Sequence, residues 1–96
     1  MTTPPDQLEA HFPDLITLMP AEFDSHEFIL ALAHGQQRAC VLALADYADR
    51  DKPFMIVHGE IARRLQNYTD RLRKVGERDS QDIFGQLNSA VVWQKF

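Results

Sequence analysis

The sequence predicts an all-α domain: a small three-helix bundle with two long antiparallel helices and an irregular N-terminal strip. Three observations carry that expectation. Two apolar runs, FILALA (28–33) and ACVLALA (39–45), follow a complete helix-start signature. Between residues 54 and 75 the inward-facing residues step alternately by four and three, the spacing of a helical seam. Pro53 and Gly76 stand at either end of that seam, where helix punctuation belongs.

Residues 1–23 read as an irregular lead-in. Pro4, Pro5, Pro13 and Pro20 divide it into pieces too short for a full helix, although the piece from Asp6 to Phe12 can form a turn or two. Leu15, Ile16, Leu18 and Met19 supply apolar surface to lay against the body.

The first long helix is expected over about 24–50. Asp24 can cap it, and Glu27 three residues on completes an Asp version of the capping box. Phe23 and Phe28 flank the cap as a hydrophobic staple. The two apolar runs leave few solvated sides, which predicts more than one covering neighbour. Gly35 marks a place to bend or break, since Gly costs about 1 kcal/mol relative to Ala in a helix. Asp51, Lys52 and Pro53 end the helix.

The second long helix is expected over about 54–75, roughly 33 Å long at 1.5 Å per residue. Phe54, His58, Ile61, Leu65, Tyr68, Leu72 and Val75 form its seam, and Gly76 suits a left-handed C-terminal cap. A third helix is expected from about residue 80, capped by Asp79 or Ser80 and carrying Ile83, Phe84, Leu87 and Val91 inward. The final SAVVWQKF can finish that helix or lie extended, with Trp93 plugging one end of the core.

Ninety-six residues make a single domain, 1–96, with a modest core. A hydrophobic fraction of 45% and a charged fraction of 25% are those of an ordinary globular protein. The one cysteine, Cys40, cannot form an internal disulfide and fits a reducing compartment. MTTPPDQLEAHF lacks a basic segment followed by an apolar one, and no apolar run approaches the roughly 20 residues of a membrane span. A cytoplasmic protein with no membrane contact is the expectation.

The net charge of -4 is unevenly divided. Residues 1–49 hold eight acids and one base, whereas residues 50–96 hold six acids and nine bases. Six of the ten Lys and Arg residues fall within RRLQNYTDRLRKVGER, residues 63–78. These are Arg63, Arg64, Arg71, Arg73, Lys74 and Arg78, the candidate binding surface. An ordinary solvated helix face accounts for them, with bases favoured in the last turn by the helix dipole. A phosphate grip is the rival. Against it, a helix-turn-helix needs a short turn soon after EIARRL, and a helix begun at DSQDIFGQ would bring acids to a polyanion. The pI of 5.4 points the same way.

Catalytic and metal-binding patterns are absent. His11, His26, His34 and His58 include no i,i+4 pair, and Cys40 is six residues from His34, so no tight zinc-ligand pair exists. His58 stands in the seam, where a polar residue serves as a core hydrogen-bonding partner or sets register. Cys40 reads as a buried, inert thiol. Asp46, Asp49 and Asp51 lack the glycine and spacing of a calcium loop. There is no phosphate-binding glycine loop and no GxSxG. No cofactor, metal or enzyme activity is expected.

The function expected is non-catalytic: a small interaction domain binding another protein or a second copy of itself through helical surfaces. A homodimer would use the first helix and the N-terminal strip. A nucleic-acid-binding, helix-turn-helix-like domain using residues 63–78 ranks below it.

Overall fold

The end of the expected second helix, from Leu72, and the segment expected to be the third form two strands of a β-sheet. The computed structural model describes residues 3–96. It contains α1 (Pro4–Glu9), α2 (Phe12–Leu18), β1 (Glu22–Asp24), α3 (Ser25–Gly35), α4 (Gln37–Ala45), α5 (Pro53–Leu65), β2 (Leu72–Gln81) and β3 (Leu87–Lys95). The three strands form one antiparallel sheet in the order β1-β3-β2. The fold is therefore mixed α/β, and the all-α helical bundle is overturned.

The N-terminal strip is more regular than its prolines suggest. Thr3 and Asp6 form a reciprocal capping box at α1, and Pro13 sits in the first turn of α2, where a missing N–H is no loss. Leu8, Phe12, Ile16 and Met19 enter the core from this strip, while Leu18 is exposed.

The helix start at Asp24 forms as its residues dictate. The Glu27 amide donates to Asp24 Oδ1 at 2.8 Å, and the Asp24 amide donates to Glu27 Oε1 at 3.0 Å. Phe23 and Phe28, both fully buried, stack with ring centroids 5.9 Å apart. The expected helix 24–50 is not continuous. After Gly35 the axis turns by 105°, with Gln36 at φ -130°, ψ 56°. A straight helix of that length would run about 40 Å at 1.5 Å per residue, longer than the 36 Å maximum extent of the molecule. The bend folds α4 back onto α1 and α5, covering apolar sides that one neighbour could not.

The continuous helix 54–75 is likewise corrected. α5 stops at Leu65, and residues 66–71 form turns in which the Tyr68 amide donates to Leu65 O and the Leu72 amide to Tyr68 O. Asn67, Thr69 and Asp70 favour such turns because their side chains compete for backbone partners. Tyr68 and Leu72 still pack inward, but from a turn and a strand. Within α5 the buried line is Val57, Ile61 and Leu65, displaced from the expected Phe54 and His58.

Gly76 is no helix cap. Lys74 pairs with Trp93 and Gly76 with Val92, leaving Val75 as the extra residue of a β-bulge, and φ of +157° at Gly76 suits a residue without Cβ. The segment expected to be a third helix turns as a hairpin. Asp82 N donates to Gln86 O, Gly85 N donates to Asp82 O, and Gly85 takes φ +77°, the geometry of a three-residue loop ending in a left-handed residue. SAVVWQKF is extended, and buried Trp93 joins the core from the central strand.

Candidate interaction surface

The six bases of residues 63–78 lie on three successive parts of the chain. Arg63 and Arg64 end α5, Arg71 lies in the following turn, and Arg73, Lys74 and Arg78 lie on β2. Two of them fasten the acidic N-terminal half to the rest of the fold.

Arg64, with its side chain 21% exposed, links α1 to α5. Its Nη1 donates to Asp6 Oδ1 at 2.9 Å and Glu9 Oε1 at 3.1 Å, and its Nε donates to Glu60 Oε1 at 2.9 Å. Burial opposes the guanidinium charge, but Glu60, Asp6 and Glu9 outweigh it and raise its pKa further. Glu9 also accepts from the Tyr68 hydroxyl at 3.3 Å. Arg63 reaches Glu60 Oε2 at 2.8 Å.

Arg78 docks β2 onto the start of α3. Its Nε donates to Oδ2 of Asp24 at 3.0 Å, and Nη2 donates to Glu27. Asp24 is 1% exposed. Burial alone would raise its pKa, yet the Glu27 amide, Arg78 and the Ser80 hydroxyl together hold it below the usual carboxylate range. Ser80 Oγ also lies 2.7 Å from His26 Nδ1. The Ser80–His26 contact and the Arg78–Asp24 pair together link β2 to α3, and this small network performs the fastening expected of packed polar groups.

Arg71 donates to Pro13 O, Arg73 to Gln94, and Lys95 Nζ to Thr17 O and Met19 O. Lys95 thereby caps the C-terminal end of α2, where orphan carbonyls favour a cation. Lys74 lies 3.8 Å from Glu77. The bases left without a close carboxylate among the described residues are Arg71 and Arg73 in this stretch.

An apolar surface lies where the hairpin meets the start of α5. Phe54 and Phe84 meet edge to face with centroids 5.2 Å apart, and Phe54 meets His58 in the same way at 5.6 Å. These residues remain open to solvent: Phe54 is 41% exposed, Met55 70%, Phe84 59% and Leu87 68%. Leu87 and Trp93 are six residues apart on β3 and so share a sheet face. Asp82 fixes the hairpin tip by accepting from the Phe84 and Gln86 amides and from Asn88 Nδ2. The Gln86 amide, foremost among these donors, holds the Asp82 pKa low. Burial depresses the His58 pKa, with the nearby Asp82 charge opposing it and His26 adding to it.

The exposed positions of α5 are Phe54, Met55, Gly59 and Arg63, which offer one base to a groove of phosphates. A cleft of about 250 Å³ is lined by Ile16, Thr17, Asp70, Arg71, Lys95 and Phe96, and it opens widely to solvent. No group of His, Cys, Asp and Glu residues suited to a metal ion occurs among the described residues. Cys40 is half-buried, and burial pushes its thiol pKa up. No single helix among the described residues is long and apolar enough to cross a membrane.

Phe84 and Leu87 carry helical spacing in the sequence, which hides their place in a hairpin. Asp82 three residues ahead of Gly85 is the signal that reveals it. Comparison with protein-family models, curated proteins and solved structures finds no match to this chain.

Proposed function

We propose that the chain is a non-catalytic, cytoplasmic interaction domain that binds another protein through the surface of Phe54, Met55, Phe84 and Leu87. The observation that carries this reading is the contact between Phe54 and Phe84, an aromatic pair left open to solvent. Exposed aromatic side chains, with Met55 also open to solvent on the same helix as Phe54, are of the kind that protein interfaces favour. The surface is built from two elements, α5 and the hairpin tip, and Asp82 holds the tip in place from within. The rival nucleic-acid reading is weakened because Arg64 and Arg78 already engage carboxylates. The half-buried thiol of Cys40 is consistent with a reducing setting.

A second reading, self-association, is favoured by the exposure of Leu30 on α3 and of Val41 and Leu42 on α4. Capture from a cell lysate, with and without nuclease, separates these readings. The partner should survive nuclease and be lost with Met55→Asp and Phe84→Asp, both at exposed sites, while helicity is kept. Loss of the partner on nuclease treatment, or its retention by both variants, would refute the proposed surface. Sedimentation of the isolated chain decides self-association.

A further inference from the structure

We propose that the outer edge of β2, from Leu72 to Val75, takes up an extended acidic segment of a partner protein as a fourth strand. This rests on the domain being a protein-binding module, but not on the Phe54–Phe84 surface.

The strand order leaves β2 outermost, and β3 is the one element packed extensively against it. The direction of its backbone groups follows from one hydrogen bond. Phe96 N donates to Arg71 O, so the Arg71 main chain faces the β3 side. Alternation along an antiparallel ladder then turns Leu72 and Lys74 outward and Arg73 back toward its partner Gln94. The other side of the ladder agrees, because Lys95, opposite Leu72, donates its N–H away from β2 to Ala21 O. The Leu72 N–H is taken by Tyr68 O at 2.8 Å. The Leu72 carbonyl and the Lys74 N–H and carbonyl therefore remain for an added strand. The bulge at Val75 ends this register.

The side chains define the occupant. Arg71, Arg73 and Lys74 are exposed along this stretch, and neither Arg71 nor Arg73 has a carboxylate partner among the described residues. A second copy pairing antiparallel about Arg73 would place Arg73 against Arg73, which like charges disfavour. An acidic strand meets the same groups with complementary charge, and strand addition supplies main-chain hydrogen bonds that do not depend on sequence. Edge lysines and bulges guard sheets against their own copies, and here they select the sign of the guest.

The test is an NMR titration of the full chain with a short synthetic peptide of alternating Glu and Val. Amide shifts are expected at residues 72–75, together with slowed hydrogen exchange of the Lys74 N–H. The single tryptophan, Trp93, lies opposite Lys74 and gives a fluorescence readout. Arg73→Glu with Lys74→Glu should weaken the peptide by about tenfold or more, and circular dichroism of that variant checks that it folds. A version of the peptide with Pro at alternate positions cannot pair and should not bind. Failure to shift residues 72–75, equal binding of the Pro peptide, or equal binding of oligo(dT) at this edge would each overturn the proposal. Shifts confined to Phe54, Met55 and Phe84 would leave the apolar surface standing and remove this one.

Discussion

Asp24 is where capping, burial and the charge of β2 converge, so its removal gives a worked test of the fold. Asp24→Ala deletes the acceptor for the Glu27 amide. Loss of an N-cap of this kind costs about 0.5–2 kcal/mol, and the upper half applies because the site is 1% exposed and water cannot readily replace the carboxylate. The loss of the Arg78 contact adds less, because Arg78 is 46% exposed and rehydrates. A total near 2 kcal/mol should lower the melting temperature of a domain this size by about 8–16 °C. Asp24→Asn keeps the cap but not the charge, since Asn and Asp cap about equally well, and should lose clearly less. Thermal and urea denaturation followed by circular dichroism at pH 7 read both values. The pH dependence follows from the lowered pKa of Asp24 in the fold. The unfolded chain binds the proton more readily, so this stability is full above the unfolded value of about 3.9 and lost as pH falls through the lower folded value. Asp24→Asn should flatten that acid limb. Equal losses for Asn and Ala, or an unchanged acid limb in Asp24→Asn, would refute the assignment of Asp24 as cap and anchor.

Two further outcomes follow from the core and from His58. Leu65 is fully buried at the end of α5, so Leu65→Ala should cost about 2–5 kcal/mol and leave much of the domain unfolded at 37 °C in a thermal scan; a loss below about 1 kcal/mol would contradict its place in the core. The His58 imidazole should titrate below the ordinary value of about 6.5, because burial disfavours its charge. Its stabilising contribution is present above that unfolded value and falls as pH drops toward the folded one, a window absent in His58→Phe and measurable by histidine NMR and urea denaturation at stepped pH.

How much of this fold is legible in the sequence depends on how local each determinant is. The start of α3 is legible because its cap, box and staple lie within six consecutive residues, Phe23 to Phe28. The sheet is not. β2 reads LRKVGERDSQ, with no alternation of apolar and polar residues, because an outer strand packed extensively only on β3 has little need of a buried face. Only Leu72 in it is fully buried. The seam from 54 to 75 misleads for a related reason. Ile61, Leu65, Tyr68 and Leu72 do pack toward the core, but a period of three and four counts inward side chains whether the backbone between them is helix or turn. Asn67, Thr69 and Asp70, Asp82 with Gly85, and the β-branched and aromatic run Val91-Val92-Trp93 are the local signals that favour the observed elements.

The charged stretch marks the other limit of sequence reading. Its six bases are identifiable, but their partners are not: Arg64 finds Asp6 and Arg78 finds Asp24 across more than fifty residues. Some of the charge that separates the acidic N-terminal half from the basic C-terminal half is thus spent in joining them. This changes what a polyanion would meet. Arg64 and Arg78 are held by carboxylates and Arg63 shares Glu60. The accessible band that is left comprises Arg71 and Arg73, without a close carboxylate among the described residues, and Lys74, only loosely paired with Glu77 at 3.8 Å. Counterion release for three phosphate contacts gives a salt slope of about -2.7, against about -5.4 for six. The shallower slope implies weak binding at physiological salt, and the same three bases are better matched to a short acidic strand than to a duplex whose charge extends far beyond them.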